Sequence, residues 1–234
     1  MEPTVITFKD AGTHIDLGPA EIQIVGDANF EPVTPGYYLY FSNSPLEVEY
    51  NGEIKIVGQG AVLFPPWIKH RVRPSKRMSS MAVIRVNSQL FERDAAWPKY
   101  IQLSTLSELD AWSGNLIAAE RQGASSRWNG QEWGYTVQDG AVIGKTLVNP
   151  TNSFALTVAV GSQLKDTSIP DGVFSIFIVF NECRLRYEDK EEMKEISIPD
   201  YPAVVISQPW LAPLLSFRGP VFSFRIVGTK RVNL

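Results

Sequence analysis

The sequence predicts an all-β protein built from two similar halves, and three observations support this prediction. The 234 residues include 17 Gly and 16 Pro, which suits many short strands joined by tight turns better than a helical bundle. Hydrophobic residues make up 44% of the chain, enough for one large β domain or two small ones. A series of strand-like segments also occurs twice, with the second series roughly 140 residues after the first.

The duplicated series predicts which segments are equivalent. Three segments of the first half match three of the second with offsets of 137, 143 and 140 residues, so the copies differ only by insertions in turns. One insertion is the charged hairpin tip 188–195, which stands where the first copy has the short Asn51-Gly52 turn. The matched segments are 46–50 with 183–187, 63–67 with 206–210, and 84–86 with 224–226.

A linker between the halves contains the single helix that the sequence predicts. Ser104 is a suitable N-cap and apolar residues at helical spacing follow it, so we expect a helix from roughly Thr105 to Arg121. The Asn129-Gly130 pair then predicts a tight hairpin. The expected organisation is an N-terminal barrel over 1–100, a linker over 101–140 and a C-terminal barrel over 141–234.

Composition and charge exclude several classes of protein. The 22 basic and 25 acidic residues are interspersed and leave a net charge of -3, so no basic surface for nucleic acid or anionic lipid is expected. The longest apolar run, 173–180, is far too short to cross a bilayer, and no secretory signal is visible, so we expect a cytoplasmic protein. The single cysteine, Cys183, excludes an internal disulfide and is expected to be a buried small hydrophobe.

The segments 46–53 and 58–70 resemble the cupin β-barrel. In the second cupin motif, proline, glycine and histidine recur at fixed spacing, and Pro65, Trp67 and His70 occupy those positions here, with tryptophan in place of glycine. Two copies would make a bicupin. The resemblance implies two tandem cupin-like jelly-roll barrels, with a small-molecule ligand in the mouth of a barrel.

The resemblance also implies a metal site, but its ligands are degenerate. The first cupin motif supplies two histidines and a glutamate, and the aligned positions are Glu31, Val33 and Tyr37, of which only Glu31 could coordinate a metal. His70 matches the last metal histidine, whereas its counterpart in the second copy is Pro213. Since a catalytic metal needs at least three such ligands, we expect no bound metal and no cofactor.

Five residues are candidates for the working site. The expected ligand-binding residues are Glu31, Tyr37, Trp67, His70 and Arg85, with His70 and Tyr37 as the candidate catalytic pair. Tyr37 is expected to point into the barrel, and the pKa of an ordinary histidine makes His70 the obvious proton carrier. The alternatives are that Trp67 packs a barrel end and that Arg85 faces solvent.

Two classes of function stay open on these residues. The first is a metal-independent binding or sensory module for a small organic molecule in the N-terminal barrel. The second is a metal-independent isomerase, epimerase or lyase with His70 as general acid or base. A metal-dependent dioxygenase is disfavoured by the ligand count, and nucleotide-binding and serine-hydrolase motifs are missing from the sequence.

The charged residues on the outer faces of two equivalent strands are relevant to how the barrels assemble. Glu47 and Glu49 alternate with apolar residues in the first copy, and Arg184 and Arg186 do so in the second. Equivalent faces therefore carry opposite charge, which predicts either that they meet or that each is solvated. The sequence leaves a homodimer open, and it leaves the ligand unidentified.

Overall fold

The computed structural model describes most of the N-terminal half and selected strands of the C-terminal half. The described residues are 2–18, 20–58, 60–64, 68–87, 101–105, 125–128, 131–138, 141–148, 154–165, 175–198, 202–207 and 214–226. Their regular elements are β-strands, which confirms the all-β prediction. In these ranges no helix is long and apolar enough to span a membrane.

The chain forms two compact units, and the first strand belongs to the second unit. The N-terminal unit is Phe8–Glu108, while Met1–Thr7 joins Leu109–Leu234 in the C-terminal unit. Strand β1 (Thr4–Thr7) pairs antiparallel with a late strand of the C-terminal unit, with Val5 opposite Val205. Backbone pairing thus groups residues 4–7 with strands of the C-terminal unit, whereas the sequence led us to expect an N-terminal barrel over 1–100.

The described residues of the N-terminal unit form nine strands in two sheets. The larger sheet has the order β10-β7-β4-β9-β3-β2 and the smaller one the order β6-β5-β8. The strands are β2 (His14–Asp16), β3 (Ala20–Val25), β4 (Gly36–Ser42), β5 (Leu46–Tyr50), β6 (Glu53–Val57), β7 (Gly60–Phe64), β8 (His70–Pro74), β9 (Met81–Asn87) and β10 (Ile101–Thr105).

The two sheets of the N-terminal unit face each other and enclose one core. Alternate residues of each strand point inward, as the period of two in a strand requires. Tyr38 and Tyr40 of β4 are inward residues, and they pack against β5 and β8 of the smaller sheet. The buried cluster comprises Val25, Tyr38, Tyr40, Leu46, Val48, Tyr50, Val57, Val62, Phe64, Val72, Met81 and Val83.

In the C-terminal unit, the described residues form nine strands besides β1. They are β11 (Ser125–Trp128), β12 (Gln131–Gln138), β13 (Ala141–Val148), β14 (Phe154–Lys165), β15 (Ser175–Val179), β16 (Cys183–Asp189), β17 (Glu192–Ile198), β18 (Ala203–Ser207) and β19 (Leu214–Ile226). Their main path runs β1-β18-β15-β19-β14-β13-β12-β11, and β16 pairs with β17 and β19.

Strand pairing in the two units follows one pattern. In the first, β4 lies between β7 and β9; in the second, β15 lies between β18 and β19. The registers reproduce the sequence offsets: Tyr40 lies opposite Val62, and Phe177, 137 residues later, lies opposite Val205, 143 residues later. In the described parts of the segments matched by sequence, the strands therefore pair in the same way in the two units.

Two hairpins show how the matched segments of the two units differ. Asn51 and Gly52 both have positive φ in the turn between β5 and β6, a conformation that suits these residues. The second hairpin turns at Lys190 and Glu191, also with positive φ. The expected charged tip over 188–195 is thus corrected: this turn also has two residues, and the inserted residues lengthen β16 and β17.

The linker was predicted only in part. Ser104 and Thr105 lie in β10, paired with Ala61 and Gly60, because the chain is still extended where the helix was expected to begin. The rest of the expected helix, residues 106–121, lies outside the described residues. Strands β11 and β12 are paired with Trp128 opposite Gln131, which leaves two residues between them and confirms the hairpin.

The charged outer faces find their partners within their own sheets. Arg73 of β8 lies 2.6 Å from Glu47 of β5. In the C-terminal unit, Arg186 of β16 bonds Glu195 of β17 at 2.7 Å. The opposite charge of the equivalent faces is therefore balanced locally, by a neighbouring strand in each case.

Candidate functional site

A row of four inward positions marks the mouth of the N-terminal barrel. Across β3, β9, β4 and β7, the registers place Glu21 beside Arg85, Arg85 beside Tyr38, and Tyr38 beside Phe64. His70, at the start of β8, faces this row from the smaller sheet and stacks on Phe64 with ring centroids 3.8 Å apart. Polar and aromatic groups thus converge at one end of a core that is otherwise aliphatic.

His70 is buried, and protein groups bond both of its ring nitrogens. Nδ1 lies 2.7 Å from the carbonyl oxygen of Ile68, and because a carbonyl only accepts, Nδ1 carries the proton. In the neutral ring Nε2 is then an acceptor, and the Tyr40 hydroxyl donates to it at 2.7 Å. Two chemically matched hydrogen bonds therefore hold one tautomer of His70.

Burial decides the charge state of this pair. It lowers the pKa of His70 from its usual 6.5 to about 4, although the bond to the Ile68 carbonyl favours the charged ring. Burial also raises the pKa of Tyr40 well above its usual value. Both groups are therefore neutral at physiological pH.

Tyr38 forms a wall of the mouth. Its hydroxyl donates to the Thr34 carbonyl at 2.7 Å, and its ring packs at an angle against Phe30, with centroids 5.9 Å apart. The same ring meets the His70 ring edge-on at 6.0 Å. Burial raises the pKa of Tyr38, so its hydroxyl stays protonated. These contacts hold the Tyr38 ring in one orientation.

Arg85 lies beside Tyr38 in an ion pair. Its guanidinium bonds both carboxylate oxygens of Glu21, with the Nε–Oε2 distance at 3.0 Å. The Arg85 side chain is only 16% exposed, so it does not face solvent. The hydrogen bond from Arg85 lowers the pKa of Glu21, and His14 Nε2 lies 3.6 Å from the same carboxylate. The three side chains form a polar chain along one side of the mouth.

Two cavities open at this mouth and share a wall. The larger, about 410 Å³, is bounded by Tyr38, His70, Lys69 and the segment 31–36. The smaller, about 130 Å³, is bounded by Tyr38 with Arg85, Glu21 and His14 among others. Glu31, Val33, Thr34 and Tyr38 line both. The larger cavity falls in the size range of small-molecule sites.

The structure brings together three of the five residues singled out by sequence. Glu31, His70 and Arg85 line the two cavities, and Glu31 also pairs with Arg71 at 2.9 Å. Tyr37 is fully buried but belongs to the opposite face of β4, since its neighbour Tyr38 points inward. The prediction that Tyr37 points into the barrel is therefore wrong, and its neighbour Tyr38 points inward instead. Trp67 lies outside the described residues.

The residues around His70 do not fit the metal that the cupin resemblance implies. Both nitrogens of His70 are already bonded, and its nearest ring neighbours are Tyr40, Phe64 and Tyr38. Among the residues that the structure describes, no group of three His, Cys, Asp or Glu side chains could hold a metal ion. A metal ion would therefore lack the oxygen and imidazole ligands that it needs.

Sequence reasoning missed Tyr38, Tyr40, Glu21 and His14. The signal for the two tyrosines was the alternation along β4, which offers two opposite sets but does not say which faces the core. Glu21 and His14 lie on β3 and β2, early strands that the duplicated pattern does not reach. Cys183 is buried in the C-terminal core as expected, and burial raises its pKa to about 12.

Comparison with known proteins finds similar folds among solved structures. No family model matches the sequence, and no curated protein matches it. A salicylate 1,2-dioxygenase from Pseudaminobacter salicylatoxidans is 12% identical, with a TM-score of 0.55 over 96% of this chain and 84% of its own. A glyoxylate-induced protein from Pseudomonas aeruginosa is 8% identical, with a TM-score of 0.55 over 99% and 90%.

A third similar structure has no known function. It is a protein of unknown function from Pseudomonas syringae pv. tomato, 8% identical, with a TM-score of 0.52 over 92% of this chain and 84% of its own. Identities this low carry the fold and not the activity. Together with the strand pairing, these comparisons show that the chain has an all-β, cupin-type fold.

Proposed function

We propose that the N-terminal barrel binds a small organic molecule at its mouth, without a bound metal. The observation that carries this proposal is the larger cavity, about 410 Å³, in which Tyr38 and His70 meet the rim segment 31–36. Ligand sites are commonly concave, mostly apolar and supplied with a few polar groups. Here Tyr38 and Ile68 supply apolar surface, and Lys69 supplies a charge that the ligand can pair with.

The lining favours a flat ligand that carries a polar substituent. The Tyr38 ring is 4% exposed and is fixed by its bond to Thr34 and by the Tyr40 and His70 rings, so the part that lines the cavity is a rigid wall against which a flat ring can pack. Lys69 is exposed on the rim, whereas Arg85 is already bonded to Glu21. An anionic substituent would therefore meet Lys69 first. A small aromatic carboxylate combines both features.

His70 favours binding over proton transfer. A general base needs a free nitrogen and a pKa near the working pH. Protein groups bond both nitrogens of His70, and burial lowers its pKa to about 4. We therefore assign His70 a positioning role, in which it supports the floor of the cavity. The isomerase, epimerase or lyase alternative would require that the bond from Tyr40 be broken first.

We also infer that the two units are copies of one cupin-like barrel, which would make the chain a bicupin. The shared pairing pattern and the matching registers support this inference. If so, the binding function belongs to one copy. His70 has Pro213 as its sequence counterpart, so the second copy cannot build the same floor.

Titration calorimetry with a small panel of acids tests the binding proposal. Salicylate, gentisate and glyoxylate are suitable probes because the names of the structural neighbours contain them, and benzoate tests the bare aromatic carboxylate. We expect an aromatic acid to bind, and Tyr38→Ala and Lys69→Gln to weaken that binding by about tenfold each. The matched control is Lys76→Gln, an exposed lysine away from the cavity.

Two results would contradict the proposal. The first is that none of the four acids binds to the protein. The second is a probe that binds wild type, Tyr38→Ala and Lys69→Gln with equal affinity, since the bound site would then lie elsewhere. A stoichiometric metal that is needed for binding would contradict the metal-independent part.

A further inference from the structure

Strand β6 is an edge strand with exposed apolar residues. Among the described strands, it pairs only with β5 and ends the order β6-β5-β8. Ile54 and Ile56 are each 63% exposed, on the outer face of this sheet. Open edges of this kind are templates for pairing with another chain, and proteins usually protect them.

The hairpin geometry determines which backbone groups face the open edge. A two-residue turn joins β5 to β6, so Tyr50 and Glu53 form the hydrogen-bonded pair that closes the hairpin. Lys55 and Val57 then also direct their N–H and C=O groups toward β5. By alternation, the N–H and C=O groups of Ile54 and Ile56 point away from β5, toward the open edge.

The charges of β6 are self-complementary. Glu53 and Lys55 flank Ile54; their side chains are 69% and 51% exposed and pair with each other at 3.4 Å, an exposed contact that can be exchanged for one with a second copy. When two antiparallel copies of β6 pair with Ile54 opposite Ile54, each Glu53 lies opposite Lys55 of the second copy. The outward N–H and C=O groups of the two Ile54 residues then bond each other. A shift by two residues in register, which sets Lys55 opposite Lys55, would be repulsive.

We propose that the β6 edge is a homodimer interface, in which two copies pair antiparallel about a twofold axis at Ile54. A twofold interface must be complementary to itself, and the Glu53-Ile54-Lys55 segment meets that condition in charge, hydrogen bonding and apolar surface. The interface lies outside the proposed ligand cavity. Dimerisation and ligand binding are therefore separately testable.

The equivalent edge of the C-terminal unit lacks these features. Strand β17 has Glu195 in the middle of its outer face, where it bonds Arg186 of the neighbouring strand. Two antiparallel copies of β17 centred on Glu195 would set two carboxylates against each other. A central carboxylate thus opposes edge-to-edge pairing at β17, whereas β6 has an apolar residue at the equivalent place.

Charge reversal provides a strict test, measured by sedimentation equilibrium up to about 1 mM protein. Wild type should dimerise. Glu53→Lys and Lys55→Glu should each weaken the dimer by about tenfold, because each replaces two attractive pairs with two repulsive ones. An equimolar mixture of the two variants should recover the affinity, since every lysine of one then faces a glutamate of the other. Lys76→Glu, a charge reversal in a distant loop, is the matched control.

Three results would overturn the proposal. They are a wild-type protein that stays monomeric over the whole range, a dimer that neither reversal weakens, and a mixture that associates no better than the separate variants. Ile54→Pro adds an independent check. It removes the outward N–H without removing a bond to β5, so it should abolish the dimer while the circular dichroism spectrum is unchanged.

Discussion

Tyr40 of the N-terminal unit and Phe177 of the C-terminal unit occupy the same place in the fold, and they differ by one hydroxyl group. Tyr40 lies opposite Val62 and Val83, and Phe177 lies opposite Val205 and Ser223. The Tyr40 hydroxyl bonds His70, whereas Phe177 packs in an apolar cluster. The barrel therefore closes equally well with either residue, and the polar pair is an addition to the fold.

The same contrast continues at the barrel mouth. Tyr38 and Phe64, opposite each other in the N-terminal unit, correspond in register to Ser175 and Ser207. The aromatic wall therefore belongs to one unit. The two units have different residues at these equivalent positions, yet their strands pair in the same way. The aromatic side chains are therefore not needed for strand pairing, and we attribute the aromatic wall to the ligand site.

The largest expected effects test whether Tyr40 and Phe177 have equal packing roles. Tyr40→Ala and Phe177→Ala should each lower the free energy of unfolding by about 3 to 5 kcal/mol, because each removes a fully buried ring. Urea denaturation measures both. Val33→Ala, at a 93% exposed position, is the control and should change little. A cost below about 1 kcal/mol at either ring would break the equivalence of the two cores.

Acid should destabilise the N-terminal unit through His70. Because the folded pKa is about 4 and the usual value is 6.5, the unfolded chain binds a proton between these values that the folded site rejects. The free energy of unfolding should therefore fall by about 3 kcal/mol as pH falls from 6.5 to 4. Urea denaturation at several pH values measures this slope.

A double variant isolates that contribution. Tyr40→Phe with His70→Phe makes the N-terminal core resemble the C-terminal one and should remove this part of the pH dependence. His14→Gln should retain it, because the His14 side chain is 53% exposed. An unchanged acid slope in the double variant would show that other groups cause the loss.

Tyr40→Phe alone should have a smaller effect. It leaves Nε2 of His70 buried without its donor, which we expect to cost about 1 to 2 kcal/mol. Nitrogen-15 spectra of the imidazole should show the Nδ1-protonated tautomer in wild type, held by the Ile68 carbonyl. An Nε2-protonated ring in wild type would refute the assigned hydrogen-bond directions.

The smallest effects are expected at the outer faces, where each unit has exposed ion pairs between neighbouring strands. Double-mutant cycles on Glu47 with Arg73 and on Arg186 with Glu195 should give weak couplings that salt reduces further. A cycle between Glu49 and Arg186 should give no coupling, since Arg71 and Glu195 are their respective partners. A strong coupling there would show that the two charged faces meet after all.

Strand positions and hairpins were predictable because they depend on local periodicity and on turns. The match of 46–50 with 183–187 located β5 and β16, and the Asn51-Gly52 and Asn129-Gly130 pairs located two hairpins. The capping pattern at Ser104 failed, because backbone pairing of β10 with β7 outweighs a local helix signal. The register of equivalent strands followed the sequence offsets without exception among the pairs compared above.

The candidate site was predictable only in outline. Glu31, His70 and Arg85 were identified from motif and repeat positions, and all three line the mouth. The orientation of Tyr37 could not be predicted, because alternation defines two faces of β4 and both faces are buried. The pattern of residues along this one strand therefore does not indicate whether Tyr37 or Tyr38 faces the barrel interior.

The sequence by itself determined the all-β class, the location of strands such as β5 and β16 and the lack of a histidine after His70. Each of these follows from the residues present or from contacts between near neighbours along the chain. Only the tertiary structure decided that Tyr40 bonds His70, that Arg85 bonds Glu21 and that β1 pairs in the C-terminal unit. These contacts join residues 30, 64 and about 200 positions apart, and their partners are selected by how the sheets fold over each other, which local patterns do not encode.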